Sequence, residues 1–204
     1  RRYYGFRGCC FRGSDLHDSG AGMRFFATAL LLLVSGCTRS SAISEYSAVP
    51  DFHLTERSSR SISRADLDGK VWVADFIFTH CGGICPAMST NMQRLQQRLP
   101  REVRLVSFSV DPYNDTPEVL TQYAKRYDAD PERWLFLTGD PKAIQDLSIG
   151  GFKLALEQSG SEEEPITHSS RFVLVDQRGH IRGYYSTEEA DALDRLVADA
   201  KHLL

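Results

Sequence analysis

Five cysteines and six histidines are the side chains of this 204-residue chain best suited to covalent or metal chemistry. Two of the cysteines, Cys81 and Cys85, form a CxxxC pair inside VWVADFIFTHCGGICPAMSTNM, Val71 to Met92. Such a pair supports three chemistries: a reversible disulfide, a site for a soft metal, or an inert bridge. A bridge across so short a loop removes little chain entropy. The flanking residues say where the thiols sit. Residues 71–78 are almost wholly apolar and rich in β-formers, which predicts a central strand buried on both faces. Cys85 precedes Pro86, and proline is favoured in the first turn of a helix because its missing N–H costs nothing there. Met88, Met92, Leu95 and Leu99 then recur at helical spacing, so these methionines read as core and not as metal ligands. The thiols are therefore expected at the positive end of a helix, where unpaired N–H groups and the macrodipole favour thiolate over thiol.

Other polar residues surround this junction. Asp75 is a carboxylate in an otherwise apolar strand, six residues before Cys81. Buried, it would have a raised pKa and could carry protons for the thiols; at a sheet edge it would only be hydrogen-bonded. Asp111 and Asp115 either arrange a loop near the site or cap a helix. His80 reads as support for the site or as loop surface, because adjacent side chains diverge at a strand end. His53, His180 and His202 read as solvated surface.

The elements that must position these groups follow from periodicity. Phe52 and Leu54 alternate as a short edge strand, and residues 58–64 read as a loop. After the first helix, residues 103–110 form a second strand ending at Asp111-Pro112. Asp115 or Thr116 caps a helix with Pro117 in its first turn. Residues 134–137 form a third strand, and a short helix from Asp140-Pro141 ends at Gly150-Gly151. Phe152, Leu154 and Leu156 alternate as a strand, and residues 172–175 and 181–185 flank a hairpin turn. Ser186 and Glu189 form a capping box for a last helix that buries Leu193, Leu196, Val197 and Ala200. The early connections imply parallel strands and the hairpin antiparallel ones. The expected fold class is α/β, a thioredoxin-like mixed sheet flanked by helices.

The N-terminus is of another kind. Met23–Cys37, MRFFATALLLLVSGC, resembles a secretory signal whose apolar run is too short to span a bilayer. Its ending, Val-Ser-Gly-Cys, resembles a bacterial lipobox, which makes Cys37 the expected lipidation site. Residues 1–22 read as an upstream extension, 38–49 as a flexible tether and 50–204 as the domain. Cys9 and Cys10 precede the signal, so Cys81 and Cys85 are the thiols of the exported domain. The formal charge is −3, and no basic cluster suggests nucleic acid.

FIFTHCGGICPAM, then SVDPYNDTPEVL, then ITHSSRFVLVD resemble, in order and spacing, the SCO/SenC family, from about Phe52 to the C-terminus. The resemblance implies a thioredoxin-like, copper-binding protein that assists assembly of the dinuclear copper centre of cytochrome c oxidase. It implies Cys81, Cys85 and His168 as copper ligands; Asp75 and Asp111 are the supporting residues expected around them on their own chemistry and position. Gly82-Gly83-Ile84 stands where many members carry Pro-Asp-Val. Two thiolates and an imidazole form a soft set that suits Cu(I), whereas structural zinc normally takes four protein ligands. The implied partners are the copper-site subunit of the oxidase, a copper donor protein and, through the lipid, a membrane of the bacterial cell envelope. Three functions compete: a copper metallochaperone, a thiol–disulfide oxidoreductase that keeps the oxidase cysteines reduced through the redox pair Cys81 and Cys85, and a peroxidase. The peroxidase ranks last, because Thr79-His80-Cys81 departs from the threonine-x-x-cysteine of peroxiredoxins.

Overall fold

The structure is a computed structural model that describes residues 43–154, 156–157 and 167–204. Cys37, the signal and the first part of the tether lie outside the described residues. Among the described residues, no helix is long and apolar enough to cross a membrane.

The organising strand is β3, Trp72–Ile77, and every residue in it is buried. It pairs in parallel with β4 (Arg104–Ser109), which pairs in parallel with β5 (Trp134–Thr138). On its other side β3 pairs antiparallel with β8 (Arg171–Val175), which turns back into β9 (Ile181–Ser186). Beyond β5 lie β1 (His53–Glu56) and β2 (Ser61–Ser63), so the seven-stranded order is β2-β1-β5-β4-β3-β8-β9. The sheet is mixed, as the connections required.

Alternation along the strands divides the core. On one face Trp72 and Phe76 of β3 meet Phe108 of β4 and Phe152, with ring centroids 5.1–6.5 Å apart. Phe152 arrives at the end of α3 (Pro141–Asp146) and the π turn that continues it, Leu147–Gly151. The other face carries Asp75 beside Ser107 and is covered by α1 (Cys85–Arg98) and α2 (Pro117–Arg126). These helices meet where the Ser89 and Tyr123 hydroxyls bond at 2.8 Å. A last helix, α4 (Ala192–His202), joins α1 through Arg98 and Asp194. The C-terminal end of α1 is held by the buried Arg133, which donates to the carbonyls of Gln96, Leu99, Pro100 and Val103 at 2.6–3.1 Å. Those include carbonyls with no partner inside the helix.

Four expectations are corrected. The strand at residues 53–56 is not an edge: β2 covers it, and Ile62 is buried between Ser61 and Ser63 in a stretch too short to announce itself. Phe152 is not in a strand, because the π turn runs to Gly151 and only Leu156–Glu157 forms β6, paired with β7 (Thr167–His168). The Ser186 capping box does not start α4, since β9 continues through Ser186 and the helix begins at Ala192. Residues 43–49, expected within a flexible tether, are fastened along β9. Tyr46 N–H donates to the Ile181 carbonyl and Val49 N–H to the Gly179 carbonyl, both at 2.8 Å. Arg182 reaches the carbonyls of Ile43 and Ser44, and Arg178 pairs with Glu45 at 2.7 Å. The strap covers an edge that would otherwise expose unpaired backbone groups.

Candidate metal and thiol site

At the end of β3 the chain leaves the sheet through a turn that Cys81 N–H closes on the Phe78 carbonyl at 3.4 Å. Gly82, Gly83 and Ile84 follow on the surface, and α1 begins at Cys85 with Pro86 in its first turn. Cys85 is fully buried and Cys81 half-buried, and no disulfide joins them. The Cys85 N–H, an amide of the helix N-terminus, lies 3.5 Å from the Cys81 sulfur and donates to it.

The helix terminus does not act alike on the two thiols. Burial pushes the Cys85 thiol well above its ordinary pKa. The hydrogen bond with Cys81 adds to the rise, and one with the Phe78 backbone opposes it. The expected preference for thiolate is thus reversed at Cys85. A macrodipole contributes about 0.3–2 kcal/mol, whereas full desolvation can move a pKa by several units, each about 1.4 kcal/mol.

Asp75 is completely buried and central in the sheet, not at its edge. Its Oδ1 accepts the Ser107 hydroxyl at 2.6 Å, and Ser107 in turn accepts the Trp134 indole N–H at 2.9 Å. Oδ2 meets no hydrogen-bond donor among the described residues. Desolvation pushes this carboxyl up to about 7, against the downward pull of Ser107. Its charge also bears on the Cys85 thiol, so the two groups share one electrostatic environment.

Asp115 locks the thiol turn. Fully buried, it accepts the Thr79 hydroxyl at 2.5 Å, the Thr79 N–H at 3.1 Å and the Ser109 hydroxyl at 2.6 Å. Burial raises its carboxyl pKa, while the Ser109 and Thr79 hydrogen bonds oppose the rise. Asp111 works inside its own loop: its carboxylate accepts from the Asn114 side-chain amide at 2.8 Å. Sequence offered both acids as caps. Thr116 takes the cap of α2 through Val119 N–H, and Asp115 turns inward. Its bond to Thr79, 36 positions away, has no local signal.

His168 is described through its backbone in β7, opposite Leu156. Three residues later, at Arg171, β8 begins, antiparallel to β3 with Ala74 opposite Val173. The first residues of β8 therefore lie at the end of the sheet from which the Cys81 turn leaves. Three residues span at most about 11 Å, so the His168 backbone lies within that distance of the same end of the sheet. His53 and His202 are exposed, and Met88 and Met92 are buried core residues. His180 is not simple surface: its ring packs 3.9 Å from Asp176 beside Glu45. Metal-capable atoms of Glu45, Asp176 and His180 lie within 4.8 Å of one another, but Arg178 and Arg182 already pair with the carboxylates at 2.7 and 3.0 Å. That cluster fastens the strap.

Residues 40–204 match the profile of the SCO1/SenC family. The chain belongs to that family. It is 37% identical over 157 residues to the SCO1 protein homolog of Bacillus subtilis, covering 75% of this chain and 81% of that protein. BsSco, a member of the Sco family of cytochrome c oxidase assembly proteins with a disulfide switch, is 35% identical. It superimposes with a TM-score of 0.69 over 78% of this chain and 94% of its own. ScoI of Bradyrhizobium japonicum, solved with copper bound, shares the fold at 23% identity and a TM-score of 0.66, covering 78% of this chain and all of its own. The thioredoxin-like α/β fold of the Sco family follows.

Proposed function

We propose that this domain is a copper metallochaperone that binds its cargo through Cys81, Cys85 and His168 and delivers it to the copper-site subunit of cytochrome c oxidase. The observation that supports the reading is that the CxxxC turn leaves the same end of the sheet at which β8 begins, three residues after His168. The donor chemistry fits the cargo. Two sulfurs within one loop and an imidazole suit Cu(I), and three protein ligands leave a position where a partner's thiol can attach. Space is open around Gly82, so the loop between the sulfurs can adjust as copper enters. Copper-bound ScoI and the oxidase-assembly role of the Sco family support both halves of the reading. Cys37 carries the lipid that keeps the domain at the outer face of a bacterial membrane.

Titrating the reduced protein with Cu(I) tests the ligand set. One copper per chain is expected, and His168→Ala should abolish tight binding while Cys81–Cys85 disulfide exchange persists. Unchanged affinity in that variant contradicts the ligand assignment.

A second activity, thiol–disulfide exchange, is favoured by the graded burial of the thiols. Cys81 is accessible and receives an amide donor, while burial keeps Cys85 protonated. In this reading the Cys81 thiolate attacks a partner disulfide, forming a mixed disulfide and releasing one partner thiolate. Cys85 then gives its proton to Asp75 and attacks the Cys81 sulfur. The second partner thiolate leaves, and the pair has passed two electrons to the partner. Oxidase assembly that survives loss of copper binding in His168→Ala would identify this as the operative role.

A further inference from the structure

His80 stands beside Cys81, and its hydrogen bond fixes which ring nitrogen is available. Thr79 Oγ1 lies 2.5 Å from Asp115 Oδ1 and 3.2 Å from His80 Nδ1. A threonine hydroxyl has one proton to give. Asp115 also takes the Thr79 N–H and the Ser109 hydroxyl, so it is the acceptor of every bond it makes here. The Thr79 proton therefore goes to Asp115, and the contact with His80 must run from Nδ1–H to the Thr79 oxygen. In the neutral ring with Nδ1–H so engaged, the lone pair sits on Nε2, the form in which imidazole binds a metal. A ring nitrogen held this way by an outer hydrogen bond is how proteins orient a metal-ligating histidine.

The backbone also removes the reason to exclude His80. It is the third residue of the turn that Cys81 closes on Phe78, so strand alternation does not set the two side chains apart. Exposure is graded from Cys85, fully buried, through half-buried Cys81 to exposed His80. Soft and borderline donors are thus ordered from the interior to the surface.

We propose that His80 is a handover ligand for copper, distinct from the resident ligands, that receives the ion at the surface as it passes between a partner and Cys81. This rests on the copper-chaperone reading above. During transfer Nε2 donates its lone pair to Cu(I) while one sulfur lets go; one Cu–N bond replaces one Cu–S bond, and no electron moves. Copper delivered by a thiol-bearing partner would follow the same steps inward.

The test has two parts. In the copper-free protein, nitrogen-15 NMR should show His80 protonated at Nδ1 and bare at Nε2; the opposite tautomer overturns the proposal. In the Cu(I)-loaded full chain, stopped-flow transfer to the chelator bathocuproine disulfonate is compared with that of His80→Ala. Transfer should slow about tenfold or more, with equilibrium affinity nearly unchanged, and free imidazole should restore the rate. Transfer at the wild-type rate overturns the proposal, as does a slowing that imidazole does not rescue. A parallel fall in affinity overturns it too, by making His80 a resident ligand. Failure of the wild-type protein to take up Cu(I) sinks the copper reading itself, whereas the outcomes in His80→Ala bear on the handover alone.

Discussion

At the scale of single residues, burial near the thiol turn raises the pKa of two groups, Cys85 and Asp75. Cys85 keeps its proton because burial outweighs the helix terminus. Thiol-directed alkylation followed by mass spectrometry should label Cys81 readily and leave Cys85 unmodified until the protein unfolds. Asp75 shapes the pH dependence of stability. In the unfolded chain its carboxyl ionises near the ordinary 3.8, whereas the folded protein holds the proton up to about 7. The folded state therefore binds more protons across that window, and its stability contribution is full below the unfolded pKa and lost as pH rises through 7. The loss is on the order of 4 kcal/mol for a shift of this size in a fully buried group. Urea unfolding of the apo-protein at successive pH values between about 4 and 8 should show this decline, and Asp75→Asn should flatten it. A wild-type profile with the same slope as the variant would mean that Asp75 is ionised in the fold.

At the scale of elements, two buried polar residues join pieces that hydrophobic packing alone would leave adjustable. Asp115 ties the loop after β4 to the thiol turn after β3, and Arg133 ties β5 to the end of α1. Removing the Asp115 acceptor strands the Ser109 and Thr79 donors, so Asp115→Ala should cost about 1–3 kcal/mol by urea unfolding. It should also weaken copper binding about 10–100-fold, because the turn that aims Cys81 loses its support. Arg133→Met should cost about 3–5 kcal/mol, since four carbonyls lose a buried cationic donor together. The β3–α1 junction was legible in the sequence because a long apolar run, Cys-Pro and a helical stripe all pointed to one answer. β2 was not, because three residues carry no usable period. The start of α4 was misplaced because the aromatic pair Tyr184-Tyr185 carries β9 through Ser186, past the point where local capping chemistry would begin a helix. The Asp115–Thr79 contact was hidden for a different reason: it is a tertiary choice between two plausible acids, made only once Thr116 has taken the cap.

At the scale of the whole molecule, the strap at residues 43–49 closes the β9 edge of the sheet. It lies on the β9 flank, while the thiol turn lies at the end of the sheet where β3, β4 and β5 finish. Arg182 is the main fastener, since it bonds the Ile43 and Ser44 carbonyls and Asp176 at once. In Arg182→Ala the Tyr46 and Val49 amides should exchange hydrogen about tenfold faster or more, a local loss of about 1.4 kcal/mol, with the β3 and β4 amides unaffected. Uniform acceleration across the sheet would instead show that the strap belongs to the cooperative core.

The central claim is that copper is bound by the two sulfurs of the turn after β3 together with a histidine brought to it by β7. X-ray absorption spectroscopy of the Cu(I)-loaded protein measures this directly. Two sulfur neighbours and one nitrogen neighbour are expected in the wild type, with the nitrogen lost in His168→Ala and kept in His80→Ala. A copper environment made of oxygen and nitrogen alone, or one unaltered by His168→Ala, contradicts the account.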